Sequence, residues 1–273
     1  MPDSRESADR RMRRRLDAEM VRRGLVDSRA RAVEAVATGR VLVGGAPATT
    51  PARHVAADEP ISVSGPPPPF VSRGGEKLSA ALDAFPVAVI GRRALDAGAS
   101  TGGFTDCLLQ RGAAEVVAVD VGRGQLSWHL QTDERVRTLD RVNVRNLVAE
   151  DIGGAVTLAV ADLSFISLLT VAPALARCTT PEAHLVLLVK PQFEAGRARV
   201  GKGGIVRDPA VHREVLVDVA TGLASQGLPV VGAVASPIMG ADGNREFLVH
   251  VDRAERAVEV SRLLEVVAGE PAT

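Results

Sequence analysis

The sequence predicts an α/β fold: a mostly parallel sheet with helices on both faces, preceded by a small α+β module. Three observations carry this. A glycine-rich turn at residues 95–104, Leu-Asp-Ala-Gly-Ala-Ser-Thr-Gly-Gly-Phe, joins a short apolar run to a segment with helix periodicity. Downstream, short apolar runs alternate with helical segments, the order expected of crossover-connected parallel strands. A run of four prolines, Pro66 to Pro69, separates all of this from the N-terminal residues.

Residues 1–12 are polar and charged and read as a disordered arm. A first helix is expected from Arg13, with Leu16, Met20, Val21 and Leu25 on one face and Gly24 as its stop; it would carry Arg13, Arg14, Arg15, Arg22 and Arg23. A second is capped by Asp27 or Ser28, presents Ala30, Val33 and Val36, and ends at Gly39. Strands follow at 41–43 and 60–63, with a tight turn at Gly44-Gly45. Residues 13–64 thus form one module, 65–71 a linker stiffened by its prolines, and 72–268 the second domain.

In that domain a helix over 71–85 places Lys77 near its start. Seven strands are expected: from Ala94, then 114–120, 136–139, 156–161, 183–189, 228–235 and 244–251, the last opening with Glu246 near its start. Helices are expected at 105–110, at 164–177 with Ser164 as N-cap, at 209–226 and at 253–267, with a glycine- and arginine-rich loop over 194–208.

The chain has 273 residues and a formal net charge of zero, but the charge is unevenly spread. Residues 1–64 hold 12 arginines against 9 carboxylates, and ten of those arginines precede residue 32, which suggests contact with a polyanion. Two separated cysteines support neither a disulfide framework nor a metal site. No apolar stretch approaches about 18 residues, so a membrane span, a secretory signal and a membrane partner are not expected, and the chain reads as cytoplasmic.

Only three of the 33 basic residues are lysines: Lys77, Lys190 and Lys202. An amine can lose its proton where a guanidinium effectively cannot, which directs attention to Lys77 and to Lys190 at the end of a buried strand.

The turn itself has the spacing Gly98-x-x-x-Gly102-Gly103. A dinucleotide fingerprint brings backbone against a pyrophosphate; here the hydroxyls of Ser100 and Thr101 stand where the aminocarboxyl tail of S-adenosyl-L-methionine fits. Asp120, about twenty residues on, ends the next strand at the spacing used to bind ribose hydroxyls. Asp140 and Asp162 end two further strands. With Asp96, Gly98, Ser100, Thr101, Gly102, Gly103 and Phe104, Asp120 and Asp140 make up the expected cofactor site.

The run Arg-Leu-Asp-x-x-Met-Val-x-Arg-Gly-Leu-Val-x-Ser-Arg at 15–29 resembles the alpha-L RNA-binding module of a small-subunit ribosomal protein and many pseudouridine synthases. The resemblance implies that Arg14, Arg15, Arg22, Arg23 and Arg29 meet RNA phosphates. Val-Ser-Arg-Gly-Gly-Glu-Lys-Leu at 71–78, the turn at 95–104, Ala-Asp-Leu-Ser-Phe-Ile-Ser-Leu at 161–168, Val-Lys-Pro-Gln-Phe-Glu at 189–194, Gly-Gly-Ile-Val-Arg-Asp at 203–208 and Gly-Asn-Arg-Glu-Phe at 243–247 together resemble the TlyA family.

That resemblance implies a Rossmann-like class I methyltransferase domain of the FtsJ type, with a seven-stranded sheet. It implies methylation of cytidine ribose 2′-hydroxyls in ribosomal RNA within ribosomal subunits. The chemistry requires no metal, the sequence shows no metal-ligand cluster, and the chain is expected to be a monomer when free. The family's Lys-Asp-Lys-Glu tetrad falls on Lys77, Asp162, Lys190 and Glu246. Lys190 is the expected centre, accepting the hydroxyl proton or holding the nascent alkoxide, with the carboxylates orienting the lysines. Where family members carry a tryptophan-containing tetrapeptide, this chain has Pro68-Pro69-Phe70-Val71. Three rivals fit less well: a pseudouridine synthase needs no cofactor turn, a nicotinamide oxidoreductase has a different glycine spacing, and a membrane-lytic protein needs a lipid-facing segment.

Overall fold

The computed structural model describes residues 13–258 apart from 27, 66, 67 and 241, together with residue 263. The expected N-terminal arm, the Asp27 cap and most of the expected last helix lie outside the described residues. The chain divides into two compact units, residues 1–67 and 68–273.

The first unit pairs a short strand β1 (Arg14–Arg15) with β4 (His54–Val55), and sets β3 (Ala46–Pro47), β2 (Val41–Val43) and β5 (Ile61–Val63) side by side. Two helices, α1 (Leu16–Arg22) and α2 (Arg29–Ala37), pack on each other. Ser28 caps α2 by accepting from the Arg31 amide, and the β2–β3 turn uses Gly44 and Gly45 at φ 60° and 82°, a conformation natural to glycine. Leu16, Met20, Ala32, Ala35, Val36, Val41, Val43 and Val55 form its core. Two expectations need correction. Arg14 and Arg15 lie on a strand, because the backbone at 14–15 pairs with 54–55 before the helix begins. Val33 is exposed, and Ala32 and Ala35 take the buried face of α2.

The second unit begins with α3 (Arg73–Ala84) and builds one seven-stranded sheet from β6 (Arg93–Ala97), β7 (Glu115–Asp120), β8 (Val136–Asp140), β9 (Val156–Ala161), β10 (Thr179–Val189), β11 (Val230–Ala235) and β12 (Phe247–Asp252). The order across the sheet is β11-β12-β10-β9-β6-β7-β8. All pairs are parallel except those made by β12, which runs antiparallel to both neighbours. The helices are α4 (Gly103–Gln110), α5 (Trp128–Gln131), α6 (Leu168–Cys178), α7 (Pro191–Glu194) and α8 (Pro209–Ser225).

Strand β10 shows why the sheet is central. Leu185, Leu187 and Val189 point into the core under α6 and α8, while Val186 and Leu188 point into the opposite core under α3 and α4. A continuous apolar run is thereby buried on both faces, as parallel sheets require. Truncating one such leucine to alanine typically costs about 2–5 kcal/mol.

Two further boundaries differ from expectation. Helix α6 starts at Leu168 with Ser167 as its cap, the Ser167 hydroxyl accepting from the Leu169 amide, so Ser164 stays outside the helix. Strand β12 starts at Phe247, so Glu246 precedes it. In the polar stretch before it, Asn244 bonds to a loop, accepting from Val206 and donating to Gly204.

Candidate active site

Strand register brings the motifs to one edge of the sheet. Ala97 pairs with Val119 on one side and Ala161 on the other, so Gly98, Asp120 and Asp162 leave their strands together. Val189 pairs with Phe247 in the antiparallel ladder, which sets Lys190 opposite Glu246 at that same edge. Because β12 runs the other way, its entry point coincides with the exit points of the parallel strands. Open α/β sheets bind ligands at this edge.

A cleft of about 150 Å³ opens there, lined by Ser72, Gly74, Gly98 to Thr101, Gly103, Phe104, Asp162, Ser164 and Lys190. Its floor is glycine for steric reasons. A Cβ on Gly98 would lie 2.5 Å from the Asp162 carbonyl oxygen, and one on Gly103 would lie 2.9 Å from the Gly75 amide nitrogen. The backbone of three segments therefore comes together with no side chain between. Ser100 holds φ 49°, a strained value for a residue with a Cβ, so the turn is set for something other than economy of folding.

The tetrad residues form two ion pairs. Lys77 Nζ donates to Glu246 Oε2 at 2.5 Å, both side chains being buried. Lys190 Nζ lies 2.5 Å from Asp162 Oδ1 and donates a hydrogen bond to Ser164 Oγ at 3.0 Å. Lys190 and Asp162 line the cleft, whereas Lys77 reaches this edge from the second turn of α3, through its pair with Glu246.

The expected cofactor residues divide likewise. Gly98, Ser100, Thr101, Gly103 and Phe104 line the cleft. Gly102 is the left-handed cap of α4, at φ 97°. Asp120 accepts from the Ser100 amide at 2.8 Å and from the Gly122 amide at 2.7 Å, and Asp140 accepts from the Gly124 amide at 2.7 Å. A carboxylate retains lone pairs after two such bonds, so Asp120 keeps capacity for ribose hydroxyls. Asp96 is fully buried, accepts from Thr105 Oγ1 at 2.7 Å, and is not among the residues that line the cleft. Burial pushes its carboxyl up to about 7, with the Asp162 and Asp120 charges adding to the effect.

The glycine-lined turn, the two hydroxyls beside it and the carboxylate ending β7 fit S-adenosylmethionine: room and hydroxyls for an aminocarboxyl tail, and an acceptor for a ribose. Residues that motif spacing missed are Ser72 and Gly74 at the start of α3, and Ser164, which looked like a helix cap. The end of the linker is tied down nearby: Val71 donates its amide to Asp106 Oδ2 at 2.8 Å, and Gln110 donates to the Pro69 carbonyl. Among the described residues no group of His, Cys, Asp and Glu is placed to hold a metal ion.

In the first unit the arginines are not equivalent. Arg23 donates to Glu19 and to the carbonyls of Ala56, Ala57 and Glu59, so it stitches α1 to the loop before β5. Arg22 makes a two-point contact with Glu19, whose carboxyl these arginines hold down at about 2. Arg15 and Arg29 flank Asp17 and remain about half exposed. Arg14 sits on β1.

Residues 70–253 match the FtsJ-like methyltransferase family, and residues 14–61 match the S4 domain. The chain is 50% identical to the 16S/23S rRNA (cytidine-2′-O)-methyltransferase TlyA of Mycobacterium tuberculosis, over 93% of this chain and 96% of that one. It is 38% identical to hemolysin A of Brachyspira hyodysenteriae over 86% of its own length. A solved hemolysin-named structure from Streptococcus thermophilus superposes with a TM-score of 0.76 at 39% identity, covering 94% of both chains. With its domain order, its sheet and its paired lysines and carboxylates, the chain belongs to the TlyA family of FtsJ-like methyltransferases.

Proposed function

We infer that this chain methylates the ribose 2′-hydroxyl of cytidine in ribosomal RNA, using S-adenosylmethionine. The observation that carries the reading is Lys190 in the cleft, paired with Asp162 beside the glycine turn. S-adenosylmethionine supplies an electrophilic methyl group on a sulfonium. Ser100, Thr101 and the backbone at 98–103 hold its tail, and Asp120 its ribose.

A ribose hydroxyl is a very weak acid, so the protein must align its oxygen and stabilise the charge that develops on it. Lys190 Nζ is the group placed to do so: as an amine it takes the proton, as an ammonium it holds the oxygen's charge. Asp162 keeps the lysine at the cleft. Glu246 holds Lys77 at the same edge of the sheet. Holding the reactants in line supplies much of the rate.

Residues 13–64 supply affinity for the RNA through exposed arginines, and 72–268 supply the chemistry. Among the described residues no helix is long and apolar enough to cross a membrane; we place the chain in the cytoplasm, with its ribosomal substrate, as a monomer when free. The test is to incubate the full chain and labelled S-adenosylmethionine with ribosomal subunits from a strain lacking this modification, then digest the RNA and identify the product by mass spectrometry. The reading expects 2′-O-methylcytidine; label on a base, or none, would reject it.

A further inference from the structure

Lys190 is held by a group outside the family's four-residue pattern. Its Nζ lies 2.5 Å from Asp162 Oδ1 and donates to Ser164 Oγ at 3.0 Å, so it has two partners at the strand end. Ser164 lines the cleft together with Lys190, Asp162 and Gly98.

The placement of Ser164 is built. Phe165, directly after it, sits at φ 65°, a region that residues other than glycine rarely enter, and is 90% exposed. Its ring meets that of Phe193, centroids 5.2 Å apart. Three residues beyond Ser164, Ser167 Oγ donates to Glu194 Oε2 at 2.6 Å and the Leu168 amide donates to Glu194 Oε1 at 2.8 Å. The segment at 162–168 and the turn at 190–194 are therefore clasped at both ends, by Lys190 at one and Glu194 at the other. Helix α6 is already capped by Ser167, so the Ser164 hydroxyl is not spent on capping.

We propose that Ser164 is a positioning residue for methyl transfer, acting through Lys190; the proposal rests on the functional reading above. A lysine held by a carboxylate alone can swing about that one contact, away from an incoming ribose oxygen. With Nζ 2.5 Å from Asp162 Oδ1 and one N–H donated to Ser164 Oγ, the amine is fixed from two sides, which leaves its remaining direction for the ribose oxygen. A misplacement of the order of 1 Å can cost about a hundredfold in rate.

Full-length Ser164→Ala and Ser164→Thr should be compared with wild type for methyl transfer to unmodified ribosomal subunits, with S-adenosylmethionine affinity measured by calorimetry and folding by thermal melting. The expected result for Ser164→Ala is a kcat lower by about ten- to a hundredfold, with KM for subunits, cofactor affinity and melting temperature within error of wild type. Ser164→Thr, which keeps the hydroxyl, should restore most of kcat. A Ser164→Ala kcat within twofold of wild type overturns the proposal, as does a loss carried by KM or cofactor affinity, or a threonine variant as impaired as the alanine one. Failure of wild type to transfer methyl would instead overturn the functional reading, and this proposal with it.

Discussion

Asp96 is a carboxyl with no solvent and one hydrogen-bond donor, directly behind the cofactor turn. Its raised value of about 7 means that the folded protein binds its proton more tightly than the unfolded chain does. Stability contributed by that proton is present at low pH and is lost as pH rises from the usual aspartate range, about 4, through 7. Asp96→Asn keeps an acceptor for Thr105 and removes the titration, so its melting temperature relative to wild type should rise between pH 5 and about 8; a flat difference across that window would contradict the assignment. Asp120 is held by backbone amides at the strand end. Asp120→Ala should weaken S-adenosylmethionine binding in calorimetry by about ten- to a hundredfold, the loss of a charged hydrogen-bonding group, while the fold survives. Unchanged affinity in a folded variant would remove Asp120 from the cofactor site.

At the scale of elements, the N-terminal arginines differ in how firmly they are tied into the module, and the more exposed ones are the proposed RNA contacts. Arg23 spans from Glu19 to three carbonyls, so Arg23→Ala should lower the stability of the module by about 1–3 kcal/mol through the acceptors it abandons. Arg29, with its side chain 60% exposed and bonded, among the described residues, only to Asp17, which also keeps Arg15, should behave differently: Arg29→Ala should lower the melting temperature less than Arg23→Ala does and reduce the salt dependence of RNA binding by about one phosphate contact. Equal effects of the two substitutions on stability would contradict this division. The sequence made both helices legible through their apolar spacing, but it could not show that 14–15 pair with 54–55, a contact set by the fold of the whole module. The same limit applies to Ser164 and Ser167. Either serine can cap a helix locally, and the choice is made by Glu194, 26 residues past Leu168, which accepts from both the Ser167 hydroxyl and the Leu168 amide. The Gly98 turn and the carboxylates ending β7, β8 and β9 were readable because strand, turn and helix each leave a local pattern. That Lys190 stands opposite Glu246 was not, since it depends on β12 entering the sheet antiparallel.

For the molecule as a whole, a single sheet edge collects residues from positions 72 to 246 into one cleft and the ion pair beside it, while a separate basic module precedes it in the chain. If this edge performs methyl transfer through the amine of Lys190, exchanging that amine for a guanidinium is the most direct test. Lys190→Arg preserves the positive charge beside Asp162 but is larger, planar and unable to act as a base. Transfer of labelled methyl from S-adenosylmethionine to unmodified ribosomal subunits should fall by about a hundredfold or more, with cofactor affinity retained. Near-normal transfer by the arginine variant would contradict the account and leave Lys190 as a strand-end charge paired with Asp162.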